Sequence, residues 1–234
     1  MSTHLFQGLR DVFGSFSKRG VVPTLSLLLP EILFDRRYGT DTFQIVTSEE
    51  LADVTSPNRA LGTHYQGANP KIFSRIFKGV QERLSRDFSK EVFIDFGCGK
   101  GRALLMAALS GFRKAIGVEY SPSLCAIAEK NIETFRKRTR SRTEFEVIYD
   151  DVITYSIPDE ATMFFLFHPF NREILERVLE KMHQSVMRFP RAALVVYMNP
   201  QSPEAFTPGK FRRAFTVGEG QNVPDALVFE FVGE

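Results

Sequence analysis

Tryptophan is absent from this chain of 234 residues, and cysteine occurs only twice, at Cys98 and Cys125. Two cysteines cannot form a disulfide framework and neither lies in a CxxC, so a reducing, cytoplasmic setting is expected. Histidine is sparse too, at His4, His64, His168 and His183. Their spacing offers no HxxxH and no Cys/His cluster, so no metal site is expected. No run of ~18 uncharged apolar residues exists, which argues against a transmembrane helix. Nor does the N-terminal text read as a signal peptide. Arg10, Asp11, Lys18 and Arg19 interrupt it, and Pro30 and Glu31 break the apolar run from Leu25 to Phe34. An excess of either charge is also missing. The net charge is +2, which does not favour a wholesale nucleic-acid binder. Repeats and low-complexity tracts are lacking as well.

What is present is ordinary globular composition with one bias. Hydrophobic residues make up 43% and charged residues 25%, and 23 phenylalanines must fill much of the core. A chain of this length can bury a full core without staples and fits one α/β domain with an N-terminal extension. Residues 1–68 read as that extension, irregular and punctuated by glycine and proline. Leu5, Leu9, Val12, Phe13 and Phe16 in it suggest a short amphipathic helix. The polar text from Phe34 to Gly67 reads as a loop-rich lead-in that is either a lid or a structural cap, with Tyr38, Thr40 and Tyr65 as candidates to reach over a bound ligand.

Residues 69–234 are regular. Ile72, Phe73, Ile76, Phe77, Val80 and Leu84 recur at helical spacing and predict one buried helix face. A short apolar run at Val92–Phe96 predicts a buried parallel strand, and Lys114–Val118, Phe145–Tyr149, Met163–Phe167 and Ala192–Tyr197 predict further strands. Helical stripes lie between them: the Ala/Leu-rich stretch to Leu109, then Leu124 to Phe135, then Ile174 to Val186. Phe211–Phe215 and Leu227–Val232 could close the sheet as a terminal pair. Alternation of this kind implies a mainly parallel sheet covered by helices on both faces. Ligands of such sheets sit beyond the carboxyl ends of the strands.

The text after the first strand is Asp95-Phe96-Gly97-Cys98-Gly99-Lys100-Gly101-Arg102. Alternate glycines let backbone turn sharply and approach a ligand closely. Arg102 stands where GxGxxG requires glycine, and no GxxxxGK[ST] occurs, so a pyrophosphate or P-loop site is disfavoured. Asp95 would repel a phosphate but suits a cationic amine. Glu119, with Tyr120 behind it, ends the second strand where an acid can accept from both ribose hydroxyls. Asp150 and Asp151 end the third, where an acid can accept from an adenine amine while Val152 packs near the ring. Each of these acids could instead cap a helix or turn.

This text, V-F-I-D-F-G-C-G-K-G-R followed by I-G-V-E-Y-S-P, resembles the class I S-adenosylmethionine-dependent methyltransferases over about Pro70 to Phe231. The resemblance implies a Rossmann-like α/β fold with a mainly parallel seven-stranded sheet and an antiparallel last strand. It implies S-adenosyl-L-methionine as cofactor and S-adenosyl-L-homocysteine as product. Asp95, Phe96, Gly97, Cys98, Gly99 and Gly101 would then hold the methionine part, Glu119 and Tyr120 the ribose, and Asp151 and Val152 the adenine. The stretch Phe93–Glu119 also looks like the non-SET histone-lysine methyltransferases, which makes a protein lysine the first acceptor to consider and a small molecule the second. RNA or DNA comes after these because charge is balanced.

After the fourth strand, Phe167-His168-Pro169-Phe170-Asn171 is similar to the Asn/Asp-Pro-Pro-Tyr/Phe motif of amino-group methyltransferases, but carries histidine first and a single proline. His168, Pro169 and Phe170 are therefore the candidate catalytic residues, with His168 also facing the cofactor. His168 would serve as a base or an orienting group, or else bond its own backbone. Asn199-Pro200 reads as a cleft wall or a plain strand terminator, and the basic run Arg136 to Arg142 as a solvated helix end in the first place and a nucleic-acid patch in the second. A nucleoside-binding regulatory domain that has lost the chemistry is the competing reading.

Overall fold

The computed structural model describes residues 21–43, 66–167, 170–218 and 224–233, with side chains from residue 29 onward. The amphipathic stretch expected around Leu5–Phe16, as well as Tyr65, His168 and Pro169, lies outside the described residues. A first helix, α1 (Val21–Tyr38), precedes α2 (Pro70–Leu84). Then follow β1 (Val92–Phe96), α3 (Arg102–Leu109), β2 (Lys114–Glu119), α4 (Pro122–Thr139), β3 (Glu144–Tyr149) and β4 (Met163–Phe167). The chain continues through α5 (Arg172–Arg188), β5 (Leu194–Met198), β6 (Phe211–Val217) and β7 (Ala226–Phe231).

The seven strands form one sheet in the order β3-β2-β1-β4-β5-β7-β6. The first five are parallel neighbours, and β7 runs antiparallel between β5 and β6. The order reverses at β1, whose neighbours are β2 and β4, so the crevice of a doubly wound sheet opens beyond its carboxyl end. The expected strands are all present. The fifth begins two residues later than the apolar run, at Leu194, since the backbone of Leu194 is the first in it to reach the neighbouring strand, donating to Thr162 O at 2.9 Å.

Alternating side chains along each strand feed two cores. Phe93, Ala115 and Phe165 face α2 and α3, while Ile94, Ile116 and Phe164 face α5. The phenylalanine bias has a local reason. Phe73, Phe77, Phe88, Phe93, Phe112 and Phe165 interlock in the first core, with Phe88 and Phe112 stacked at 4.2 Å and Phe73 and Phe77 at 4.3 Å. Aromatic pairs at such separations add about 0.5–1.5 kcal/mol beyond the area they bury.

One stretch of the extension is more regular than its text implied. α1 runs unbroken through Pro30, although a proline inside a helix removes a backbone donor and costs about 3 kcal/mol. Tertiary packing offsets this: Phe34 is buried in the first core, and Tyr38 lies against Phe34 and against Phe135 of α4. Among the described residues no helix is long and apolar enough to cross a membrane.

Candidate functional site

The β1–α3 turn is built from backbone that only glycine adopts easily. Gly97, Gly99 and Gly101 have φ of 86°, 52° and 83°, in the left-handed region. The turn is pinned to β2, since the amides of Gly97 and Cys98 both donate to Val118 O, at 2.8 and 3.1 Å. Close packing adds a second demand at Gly101, where a Cβ would sit 3.2 Å from Ala128 Cβ of α4.

Glu119, at the tip of β2, is buried and joins two loops. Its carboxylate accepts from the Gly99 amide at 2.8 Å and from the Ser121 amide at 3.0 Å. It therefore clamps the glycine turn to the start of α4. Asp95, on β1 beside Gly117 and Phe165, is 4% exposed, and its carboxylate forms no hydrogen bond among the described residues. Burial, and after it the neighbouring Glu119 carboxylate, push its pKa up to about 8. Burial likewise holds the Cys98 thiol well above its ordinary range, so it is no nucleophile. Two buried acids thus stand beside a turn in which every second residue is glycine. The chemistry of that pair calls for a cation.

At the tip of β3 the turn begins at Asp150, whose amide donates to Glu119 O at 3.1 Å. Asp150 accepts from the Asp151 amide and from the Thr154 hydroxyl, and Asp151 accepts from the Ile153 amide at 2.9 Å. Asp151 thus does serve as a turn cap, with its second oxygen uninvolved in that bond. Val152 is buried. The turn is held from behind by Lys181 of α5, whose ammonium donates to the carbonyls of Val152, Ile153 and Tyr155 at 3.2, 2.6 and 2.6 Å.

Other expected residues are placed differently. Tyr38 does not reach over the strand tips, because its ring packs 5.2 Å from that of Phe135, and Thr40 donates to Asp35. Phe170 is buried in the second core. Asn171 caps α5, accepting from the Ile174 amide at 3.0 Å. Asn199 is an exposed left-handed residue (φ 50°) whose amide donates to Asp225 O, which is how a strand ends at a turn. Tyr120 is half-buried directly after Glu119.

The structure also brings in residues that periodicity does not mark. Arg102, the first residue of α3, is fully buried and donates to Glu31 of α1 at 2.7 Å and to Thr42 at 2.8 Å. Asn131 of α4 donates to the carbonyls of Asp41 and Lys100, at 3.1 and 2.9 Å, and accepts from the Asp41 amide. Residues 31–42 are thereby fastened to the glycine turn. A buried arginine or an inward asparagine leaves no mark in a hydropathy pattern.

With this geometry in view, comparison with solved structures decides the architecture. A Haemophilus influenzae protein described as a methylase aligns with a TM-score of 0.53 at 15% identity, over 69% of this chain and 99% of that one. An Escherichia coli protein described as a methyltransferase aligns at 0.54 and 15%, over 70% and 88%. The fold is that of the class I methyltransferases. A Pyrococcus horikoshii protein described as an RNA methyltransferase shares this methyltransferase fold at 0.52 and 14%, over 87% of this chain and 98% of that one. In sequence, residues 62–144 match the histone methylation protein DOT1 family, a stretch that includes β1, β2, Asp95 and Glu119. Comparison with curated proteins finds no match.

Proposed function

We propose that this chain is an S-adenosylmethionine-dependent methyltransferase acting on a nitrogen or oxygen acceptor, with a protein lysine the first candidate and a small molecule the second. The observation that carries the reading is the buried pair Asp95 and Glu119 beside the glycine turn. Asp95 has no donor or cation from the described chain, and its pKa is raised accordingly. The α-amino group of the cofactor's methionine part is a cation of the right kind, and a Cβ-free turn leaves room for it. Asp95, Phe96 and the 97–101 turn would hold that part. Glu119, with Tyr120 beside it, would take the ribose hydroxyls, and Asp151 and Val152 the adenine. The match of residues 62–144 to a histone methylation family favours a lysine acceptor. The RNA acceptor of a structural neighbour at 14% identity weighs less.

When bound, the cofactor supplies an electrophilic methyl on a sulfonium. The chain's own contribution is placement: in-line transfer needs donor and acceptor held close and aligned, and little else. His168 and Pro169, which follow β4 in the sequence, would orient the acceptor, and His168 would take its proton if the acceptor arrives protonated. Two free, buried thiols and no disulfide between them accord with a reducing, cytoplasmic compartment.

Titration calorimetry with S-adenosylhomocysteine and with NAD tests the cofactor assignment. Micromolar binding of the homocysteine nucleoside but not NAD is expected, and the reverse would refute it. Tritiated methyl donor offered with histones, free lysine analogues and fractionated lysate then identifies the acceptor.

A further inference from the structure

The end of α4 remote from the strand tips carries Arg136, Lys137 and Arg138 in its last turn, with Arg140 and Arg142 just beyond. The structure sets a second basic end against it. Arg36 and Arg37 close α1, and the Arg138 guanidinium donates to Arg37 O at 3.3 Å while Tyr38 packs on Phe135. All seven cations are exposed. Among them only Lys137 is in an ion pair with a described residue, Glu133, at 2.6 Å.

Helix dipoles account for part of this, since cations are favoured in a last turn. They do not account for Arg140 and Arg142, which lie past the helix, nor for two like-charged ends brought together. Like charges at close range destabilise a fold, so an unpaired cluster of this size has its natural counterpart in a polyanion. The relief is right for a polymer. A cleft of about 410 Å³ is lined by Arg136, Lys137 and the Phe145 ring, with Glu129 and Glu133 of the same helix beside them. Another of about 450 Å³ is bordered by Arg113, Thr139, Ser141 and Arg142. Anionic lipid would offer charge but nothing to enter these clefts.

We infer that the joined C-terminal ends of α1 and α4 form a docking surface for the phosphate backbone of a nucleic acid. α4 has 18 residues, a length of ~27 Å, so the surface lies about a helix length from the tip of β2, where α4 begins, and leaves the strand-tip site open. It acts as a tether, and its existence does not depend on the methyl-transfer reading.

Fluorescence anisotropy of the full chain tests this, with labelled single-stranded RNA and duplex DNA of ~30 nucleotides across a salt series and with phosphatidylserine vesicles as a third probe. Binding to either nucleic acid that weakens with salt is expected, and which one binds identifies the source of the phosphates. Arg138→Gln/Arg140→Gln/Arg142→Gln should weaken it roughly tenfold or more and flatten the slope of log K against log salt by about two to three. Arg36→Gln/Arg37→Gln, on the other helix, should flatten it by about one to two. The control Lys71→Gln/Arg177→Gln/Arg213→Gln removes equal charge from other exposed faces and should change affinity less than about twofold. Equal weakening by control and patch variants, no salt-dependent binding at micromolar protein, or binding to vesicles alone would overturn the inference.

Discussion

The Arg102 guanidinium and the Glu31 carboxylate meet at 2.7 Å, with side chains 1% and 10% exposed, so α1 and the first turn of α3 share one buried ion pair. Gly67 lies so close that a Cβ there would fall 2.4 Å from Arg102 Cζ. Burial raises the Glu31 pKa above its usual value, and Arg102 opposes that rise. Such a pair is costly to break but cheap to replace as a whole. Arg102→Met should therefore lose about 3–5 kcal/mol in denaturant unfolding, because a carboxylate is left buried alone. Glu31→Leu/Arg102→Met should recover most of the loss. A double variant as unstable as the single one would mean that the arginine stabilises through Thr42 and not through Glu31.

Much of this fold was readable before any coordinates. Continuous apolar runs locate β1 through β5, and period-3.6 stripes the faces of α2, α4 and α5, because a central strand of a covered parallel sheet buries both faces and a covering helix buries one. That Asp95 and Glu119 lie buried near the carboxyl ends of neighbouring strands beside the glycine turn was readable too, from the strand runs and the alternating glycines. Glu119's second task, clamping the Gly99 and Ser121 amides, was not, since it depends on where two loops meet. α1 was obscured by Pro30, whose local cost is outweighed by contacts with residues about a hundred positions away. Lys181 escaped notice for a similar reason. Its partners are backbone carbonyls, which every sequence has.

Asp95 makes cofactor affinity depend on pH in a defined direction. With its folded pKa at about 8, it is mostly neutral at pH 7 in the free protein. A bound cationic amine favours the carboxylate, so binding below pH 8 releases a proton. Affinity for S-adenosylhomocysteine should then rise by up to about tenfold per pH unit until pH 8 and level off above it. Calorimetry in buffers of different ionisation heat counts the proton directly. The same shift acts oppositely on the free fold. A group whose folded pKa is raised contributes stability that is fully present below its unfolded value, near 4, and is lost as pH rises through about 8. Asp95→Asn should abolish both trends, and a wild-type affinity flat between pH 6 and 8 would exclude Asp95 from the amine site.

Lys181 should govern the β3 turn without touching any ligand. Its ammonium satisfies three carbonyls of residues 152–155, and burial lowers its pKa. Lys181→Met keeps the aliphatic stem and deletes the charge, which should cost about 1.5–3 kcal/mol of stability. If Asp151 and Val152 contact adenine, the variant should also bind S-adenosylhomocysteine more weakly than it binds an analogue without the base. Equal weakening for both would place that turn outside the adenine pocket.

Gly117 gives the sharpest steric test of the glycine turn, from a residue outside it. It lies in the middle of β2 at ordinary strand backbone, so alanine meets no conformational objection there. Space is the obstacle: a Cβ would fall 2.5 Å from Cys98 Sγ and 2.8 Å from both Cys98 Cβ and Leu104 Cδ1. Overpacking of this kind costs about 1–3 kcal/mol. Cys98 belongs to the turn, so Gly117→Ala should push the turn outward and lower cofactor affinity along with thermal stability. Cys98→Ala removes the nearest of the three atoms and leaves the other two. Gly117→Ala/Cys98→Ala should accordingly regain part of both losses, with a coupling of about 0.5–3 kcal/mol between the two positions. Strict additivity would show that the alanine methyl is absorbed on the Leu104 side and never reaches the turn.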